Sequence, residues 1–363
     1  MTNPPAAKRE YLKPPVTQVG VIGWLRGNLF NSWYNSILTV VVILLLLQLV
    51  PPLFKWAFVD SLWNSSAEAC RDIDGACWSV IPRNISFILF GFFPDGQQWR
   101  PTLAMLLMIA LLFYSKNRSA WKKSLFWYWL VGLIVMGGLM RGGFFGMPLV
   151  ETSQWSGLPL TFMLSLFGIV GAYPLGVVLA LGRRSRMPAV KTLCVVYIEL
   201  IRGVPLISLL FMSSVMFPLF LPEGVSLDKV LRAQIAIIMF TAAYIAEVVR
   251  GGLQAMPRGQ YEAADSLGLN YNQTMRLIIL PQALKIVIPP TVGQMLSALK
   301  DTSLVVIIAL YDVLKTTKVT LSNPKWTGFS TEAYIFLALL YFVCCYALSS
   351  YSRKLEKDLH TGH

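Results

Sequence analysis

The chain has 363 residues, of which 55% are hydrophobic and only 13% are charged. A typical soluble domain carries about 25% charged residues, so this composition excludes a soluble globular protein and indicates a membrane protein. A disordered chain and a disulfide scaffold are excluded as well. The formal net charge of +13 favours basic residues that set membrane topology over basic residues that bind nucleic acid.

The two histidines, His360 and His363, lie in the last four residues. This placement excludes a histidine metal site or a histidine base inside a packed site. The sequence also lacks a G-x-x-x-x-G-K-[ST] phosphate-binding loop and the H-E-x-x-H and G-x-S-x-G motifs. We therefore predict no catalytic residue, no metal and no cofactor in this chain.

Eight apolar runs approach the length of about 20 residues that an α-helix needs to cross a bilayer. The first begins too late for an ordinary secretory signal, which indicates an uncleaved helix. A further apolar stretch at 79–93 contains Pro82 and Arg83, and we interpret it as an interfacial or re-entrant segment. The sequence predicts an all-α polytopic membrane protein with spans at 37–53, 101–115, 125–140, 158–182, 193–221, 231–249, 286–310 and 331–350.

The distribution of lysine and arginine orients these spans. If the N-terminus is cytoplasmic, the inner segments hold roughly twice as many basic residues as the outer ones, which is the bias expected of a membrane protein. A ninth span would invert every later segment and remove this bias. We therefore predict that both termini are cytoplasmic.

Two of the five cysteines, Cys70 and Cys77, lie together in the outer segment 55–100. In an oxidising periplasm they could form a disulfide, and the alternative is two free thiols on a loop. The other three cysteines lie in or beside apolar helices, where cysteine behaves as a small hydrophobic residue.

The longest inner loop, 250–285, has the pattern of two short helices joined by a turn. Pro257 suits a helix start, Gly268 suits a left-handed helix end, and Asn270 with Gln273 forms a capping-box pair. We expect the second helix to end at Pro281. On local features alone, an ordinary connector is a stronger interpretation than a docking element.

The residues of this loop carry a specific family resemblance. Glu262-Ala263-Ala264, then Gly268, Ile278 and Leu280-Pro281 resemble the EAA loop of ABC-importer permeases, the inner-membrane components of binding-protein-dependent transport. Further segments resemble the polar amino acid permeases, with extensions similar to those of general L-amino acid permeases. These segments are IELIRGVPLI at 198–207, AYIAEVVRGG at 243–252, GQYEAADSLG at 259–268 and LKDTSL at 299–304. One departure is Val204, where the family usually has threonine.

The resemblance implies a type I permease core in the last five spans, residues 158–351, preceded by an extension at 1–157 and followed by a cytoplasmic tail at 352–363. The extension comprises a cytoplasmic tail, three spans and a periplasmic loop. The implied partners are a cytoplasmic ATPase dimer, a second permease subunit, a periplasmic solute-binding protein and an amino acid substrate, in a bacterial inner membrane. The residues implied to couple to the ATPase are Glu262, Ala263, Ala264, Gly268, Leu280 and Pro281.

Charged and hydroxyl residues inside the spans are candidates for the substrate path, because a charge in a membrane is costly. They could bind the two charged groups of an amino acid. Internal ion pairing is the alternative, between Glu199 and Arg202 on one helix face and between Glu247 and Arg250 at the inner rim. For Glu247 we favour pairing. The candidates are Glu199, Arg202, Lys300, Asp301, Thr302 and Ser303.

The sequence thus predicts the permease subunit of an ATP-driven importer that moves L-amino acids from periplasm to cytoplasm. The alternative function is an ion-coupled secondary amino acid transporter. That alternative predicts an internal repeat of broken helices, which the sequence does not display, and it leaves the EAA pattern without an explanation.

Overall fold

The computed structural model describes residues 20–224 and 227–360, and these residues are predominantly α-helical. The predicted N-terminal tail before residue 20 and the last three residues lie outside this range. The helices are α1 (Gly20–Asn28), α2 (Trp33–Phe54), α3 (Val80–Phe90), α4 (Trp99–Ser115), α5 (Lys123–Arg141), α6 (Gly157–Arg183), α7 (Pro188–Gly203), α8 (Leu206–Val215), α9 (Lys229–Gln254), α10 (Arg258–Ser266), α11 (Tyr271–Gln273), α12 (Leu280–Ile286), α13 (Ile288–Asp301), α14 (Val313–Leu321) and α15 (Ser330–His360).

Within the described residues, six helical segments are long and apolar enough to cross a membrane, and the broken pair α7–α8 makes a seventh candidate. The remaining predicted span, 101–115, corresponds to α4, which has 17 residues. The stretch predicted to be interfacial or re-entrant contains α3, whose 11 residues are too few to cross a bilayer.

Two compact units make up the chain, residues 1–79 and 80–363. In the described part of the first unit, α2 continues through a π-helical turn at Lys55–Val59 into the outer segment. There the indole rings of Trp63 and Trp78 stack with centroids 5.7 Å apart, and the Trp78 Nε1 donates to the Ala57 carbonyl at 2.7 Å.

In the second unit, α3 is packed against the helices that follow the predicted boundary at 157/158. Ile88 of α3 forms a buried cluster with Val313 of α14 and Leu337 of α15, and the Thr316 hydroxyl donates to the Ile88 carbonyl at 2.7 Å. Helices α4 and α5 pack together and reach α6 through Phe162. The packing thus joins α3 to helices of the predicted core.

The centre of the second unit is the pair α6 and α9, which has the most extensive helix–helix contact among the described elements. A side chain at Gly176 would collide with Ile245 and the Ala242 carbonyl. Small residues in membrane helices allow this close approach, and the resulting van der Waals contact holds the helices together. A buried apolar cluster lies on each half of the pair, one containing Leu164 and Ile237 and the other containing Leu179 and Val249.

The predicted span 193–221 is two helices and not one. Helices α7 and α8 meet at a bend of 103°, where Val204 and Pro205 are extended. Proline at 205 disfavours the helical conformation of the residue before it, so the helix ends at Gly203. In the span predicted at 286–310, α13 ends at Asp301 and a 3₁₀ segment follows at Thr302–Ile308.

The last helix extends beyond the predicted span. α15 continues to His360, so the described residues of the predicted tail at 352–363 are helical. Tyr351 of this extended part is within hydrogen-bond distance of the Ser115 carbonyl at the end of α4, at 3.5 Å.

Candidate functional site

The first helix of the 250–285 loop is α10, which begins after Pro257 as the sequence predicts. Glu262 and Ala263 are exposed on it, whereas Ala264 is 0% exposed. The two alanines therefore have different roles. Ala264 anchors α10 against the rest of the protein, and the surface that a partner could touch is formed by Glu262 and Ala263, with Leu267 exposed beside them.

Gly268 ends α10 in a left-handed conformation, with φ +71°, which confirms the predicted helix end. The Gly268 N–H donates to the Asp265 carbonyl at 2.9 Å and the Leu269 N–H donates to the Ala264 carbonyl at 3.2 Å. These two hydrogen bonds are the Schellman pattern, which satisfies carbonyl groups at the end of a helix. A side chain at 268 would meet open space, so only the backbone conformation requires glycine.

The turn continues into a second helical segment through the predicted capping box. The Asn270 side chain accepts from the Gln273 N–H at 3.0 Å, and the Gln273 side chain accepts from the Asn270 N–H at 3.0 Å. This local prediction is confirmed. Asn270 and Gln273 thereby fix the angle at which the chain enters the second segment.

The predicted end of that second segment at Pro281 is wrong. A π-helical turn at Thr274–Ile279 precedes Pro281, and α12 then continues to Ile286. Proline removes a backbone donor and collides with the preceding turn of a regular α-helix. The wider π turn ends directly before α12, in which Pro281 occupies a position in the first turn, where proline is tolerated. Leu280 is half-buried and Pro281 is exposed.

Apolar contacts hold the loop against α9. Met275, Ile279 and Ala283 are buried in one cluster with Val249 and Leu253. The side-chain amide of Gln282 also donates to the Gln260 side chain at 3.0 Å, which joins α12 to α10. The loop is thus a packed element of the protein and not a loose connector.

A cluster of five charged side chains lies beside this loop, at the ends of α6 and α9 and on α7. Glu247 is its centre and is 16% exposed. Its carboxylate pairs with Arg183 at 2.6 Å, with Arg250 at 2.8 Å and with Arg202 at 3.7 Å. The Arg183 guanidinium also pairs with Glu199 at 3.0 Å.

The structure corrects one expected ion pair and confirms the other. Glu247 pairs with Arg250, as the sequence predicts for residues three apart. Glu199 and Arg202 lie on the same helix, but Glu199 pairs with Arg183 and Arg202 pairs with Glu247. The guanidinium of Arg202 also lies over the ring of Tyr244, 5.5 Å from its centroid. The charges of α7 are thus directed to neighbouring helices and not to each other.

Arg183 is one of the inner basic residues that orient the spans, and the sequence does not reveal its place in the cluster. It lies 64 residues from Glu247, and no local spacing rule connects two residues so far apart. The neighbouring Arg184 was missed for the same reason. Its side chain reaches Tyr261 of α10.

The other substrate-path candidates lie at the end of α13, apart from this cluster. Lys300 is exposed, Asp301 and Ser303 are half-buried, and Thr302 is buried. The Thr302 hydroxyl donates to the Leu299 carbonyl at 2.7 Å. Among the described residues, no ion pair joins Lys300 or Asp301 to Glu199 or Arg202. The six candidates therefore form two separate groups.

Residues 172–361, which contain the loop and the charged cluster, match the family of binding-protein-dependent transport system inner membrane components. The inner membrane amino-acid ABC transporter permease protein YhdY of Escherichia coli (strain K12) is 49% identical, over 93% of this chain and 93% of its own length. This chain belongs to that family.

Other similar proteins differ in how much of the present chain they match. The glutamate/glutamine/aspartate/asparagine transport system permease protein BztC of Rhodobacter capsulatus is 38% identical over the full length of both chains. The probable glutamine ABC transporter permease protein GlnP of Bacillus subtilis is 35% identical over 56% of this chain and 91% of its own. GlnP thus matches little more than half of the present chain.

A solved structure agrees with this assignment. The crystal structure of an amino acid ABC transporter with histidines covers 56% of this chain and 92% of its own, with a TM-score of 0.50 and 30% identity. Together with the apolar helices, the match identifies an all-α, multi-pass inner-membrane permease of the type I fold. The predicted fold class is confirmed.

Proposed function

We propose that this chain is the permease subunit of an ATP-driven ABC importer that moves L-amino acids from periplasm to cytoplasm. The observation that carries the proposal is the 49% identity to an amino-acid ABC transporter permease along almost the whole of both chains. The names of the other similar permeases refer to glutamine, glutamate, aspartate and asparagine, and these amino acids are the first substrates to test.

We further propose four kinds of partner. They are a cytoplasmic ATPase dimer, a paralogous second permease subunit, a periplasmic solute-binding protein and the amino acid itself. Permeases of this family work in binding-protein-dependent systems, and this chain carries no phosphate-binding loop of its own. ATP hydrolysis is therefore assigned to the partner ATPase.

The 250–285 loop is proposed to dock on the ATPase. Glu262 and Ala263 present an exposed surface on α10, and Gly268 sets the direction in which the chain leaves it. Pro281 is exposed on α12. Ala264 and Leu280 support the docking surface from the inside. The packed cluster beneath the loop would pass a displacement of α10 to α9.

The substrate path is proposed to include Lys300 and Asp301, with Thr302 and Ser303 beside them. Lys300 is exposed and Asp301 half-buried, and no salt bridge to another part of the described chain occupies them, so both charges remain open to a zwitterion. Glu199 and Arg202 are weaker candidates because both already have ion-pair partners. Binding a substrate there would first require those pairs to open.

The proposed function can be tested with the complex purified through a tag on this chain and reconstituted in proteoliposomes. Mass spectrometry would identify the co-purified ATPase and second permease. With loaded binding protein outside, uptake of tritiated L-glutamine and L-glutamate should require ATP at the ATPase side. It should persist when ionophores collapse ion gradients. Uptake that needs an ion gradient and no ATP would identify a secondary transporter instead.

A charge reversal tests the docking surface in the same assay. Glu262→Lys should reduce ATP-driven uptake, and the loss should be larger at low salt because screening is weaker there. Asp265→Lys is the matched control, since it reverses an exposed acidic residue on the same short helix outside the proposed motif. Equal losses in both variants would argue against a specific role for Glu262.

A further inference from the structure

Two adjacent arginines with different partners lie where α6 ends and the turn to α7 begins. Arg183 pairs with Glu199 of α7 and with Glu247 of α9. Arg184 extends instead to the 250–285 loop, where its Nη1 donates to the Tyr261 hydroxyl at 3.3 Å. Two consecutive residues thus contact the loop on one side and the charged cluster on the other.

Arg184 connects three helices through one guanidinium. It caps the end of α6, its Nη1 donates to the Leu253 carbonyl in the last turn of α9 at 3.2 Å, and its Cζ lies 6.0 Å from the centroid of the Tyr261 ring in α10. Tyr261 immediately precedes Glu262 of the proposed docking surface. A shift of α10 would therefore move Tyr261 and act directly on the Arg184 guanidinium that contacts it.

The other contacts of the loop lead to different elements, and the hydrogen bond from Gln282 to Gln260 joins α10 to α12. Apolar packing around Met275 and Ile279 has no preferred direction. Arg186 lies over the Tyr271 ring at 5.9 Å, but Tyr271 belongs to α11 and not to α10. A guanidinium, by contrast, is planar and holds its donors in a fixed geometry.

We propose that Arg184 is a positioning residue that transmits movement of α10 to the end of α6 and, through Arg183, to the ion pairs of α7 and α9. This inference rests on the proposed function. When α10 moves with the ATPase, Arg184 moves the α6 end, and the Arg183 guanidinium shifts relative to Glu247 and Glu199. The arginine pair is then the link between the cytoplasmic loop and the charged residues of the spans.

The test uses the full reconstituted complex with tritiated L-glutamine and L-glutamate, and it measures uptake together with ATP hydrolysis. Arg184→Ala should lower uptake per ATP hydrolysed by about threefold to tenfold, the size expected for the loss of one ordinary intramolecular hydrogen bond. Arg184→Lys keeps the charge but not the planar fork, so it should restore uptake only in part. Basal ATP hydrolysis and the amount of co-purified ATPase should not change.

Two further variants distinguish a loss of movement transfer from α10 to α6 from a general loss of folding or stability. Arg186→Ala removes an arginine from the same turn without touching α10, and it should retain near-normal uptake per ATP. Tyr261→Phe removes the hydroxyl that accepts from Arg184, so the double variant with Arg184→Ala should be no worse than Arg184→Ala alone.

Four results would overturn the proposal. They are normal uptake per ATP in Arg184→Ala, equal losses in Arg186→Ala, additive losses in the double variant, and loss of the ATPase from the purified Arg184→Ala complex, which would assign the residue to assembly. The wild-type complex separates these from failure of the proposed function, because absence of ATP-driven uptake there would reject the function itself.

Discussion

Gly268 makes the clearest prediction for a single residue, because its φ of +71° has a known cost for other residues. A side chain there disfavours the left-handed conformation by roughly 1–2 kcal/mol. Gly268→Val should therefore distort the end of α10 and reduce ATP-driven uptake several-fold while membrane insertion is kept. Limited proteolysis of the loop, together with uptake in proteoliposomes, would measure both effects.

Gly259→Ala is the matched control for Gly268→Val. Gly259 lies in the same helix, has an ordinary φ and also has open space around it, so alanine should be neutral or slightly stabilising there. Normal uptake in Gly268→Val would show that the helix end does not matter for coupling.

A second single-residue prediction concerns the charges of Lys300 and Asp301 in the proposed substrate path. Lys300→Met and Asp301→Asn each remove a charge, and removing a costly charge from a membrane helix can leave stability unchanged or improved. Expression and monodispersity in detergent should persist while amino acid uptake falls. Lys325→Met, at an exposed lysine outside the spans, is the control. Normal transport by both variants would place the substrate path elsewhere.

At the scale of helices and turns, Asp312 begins α14 by accepting from the N–H groups of Leu314 and Lys315, at 3.2 and 3.0 Å. Burial raises the pKa of its carboxyl above the usual value, although the hydrogen bonds from Lys315 and Leu314 oppose the shift. A raised folded-state pKa means that this group stabilises the fold most at low pH. That stabilisation is lost as pH rises through the folded-state pKa.

Asp312→Asn should therefore unfold at a higher temperature than the wild type at neutral pH, and the difference should shrink at acidic pH. Asparagine keeps the helix cap, whereas Asp312→Ala loses it and should be less stable than Asp312→Asn by about 1 kcal/mol. Thermal unfolding of the purified protein at several pH values would measure this. A lower unfolding temperature for Asp312→Asn at every pH would show that the negative charge itself is stabilising.

The success of sequence reasoning at this scale depended on the distance between interacting residues. The caps at Gly268 and Asn270 were predictable because each depends on neighbours within a few residues. The apolar runs were predictable because a bilayer demands them. The π turn before Pro281 was not, since it accompanies the burial of Met275 and Ile279 against α9, which a local pattern does not reveal.

The charged cluster shows the same limit. Spacing rules can propose Glu247 with Arg250, which are three residues apart, but they also propose Glu199 with Arg202, for which the structure gives different partners. Arg183 and Glu247 meet because α6 and α9 pack closely through small residues. Such a contact follows from the helix packing and not from the sequence near either residue.

At the scale of the whole molecule, topology is still a prediction. Reporter fusions after Lys354 and within residues 70–77 should report opposite sides of the membrane, with the C-terminal fusion cytoplasmic. The broken pair α7–α8 decides the topology. If it crosses the membrane, it counts as one span, and if it enters and leaves on the same side, every later segment changes sides. A periplasmic signal from the C-terminal fusion would reject the predicted topology.

The outer segment gives a chemical check on the same topology. The structure places Cys70 and Cys77 within bonding distance, with Cα atoms 5.5 Å apart, and we predict that they form a disulfide in the periplasm. Mass-shift labelling of non-reduced membranes should detect no free thiol at either position. Cys194, which is free in the structure, serves as the internal reference after denaturation. Alkylation of both residues in intact cells would contradict the prediction.

The hydrogen bond from Thr316 to the Ile88 carbonyl joins residues 228 positions apart, and this has a consequence for biogenesis. While the ribosome is still making the middle of the chain, α3 has already left it but its partner α14 does not yet exist. α6 is made earlier and also packs on α3, but the part of α3 that contacts α14 stays uncovered until α14 has been made. Chains truncated before α14 should consequently be degraded faster than the full-length chain, even when every span they contain is inserted.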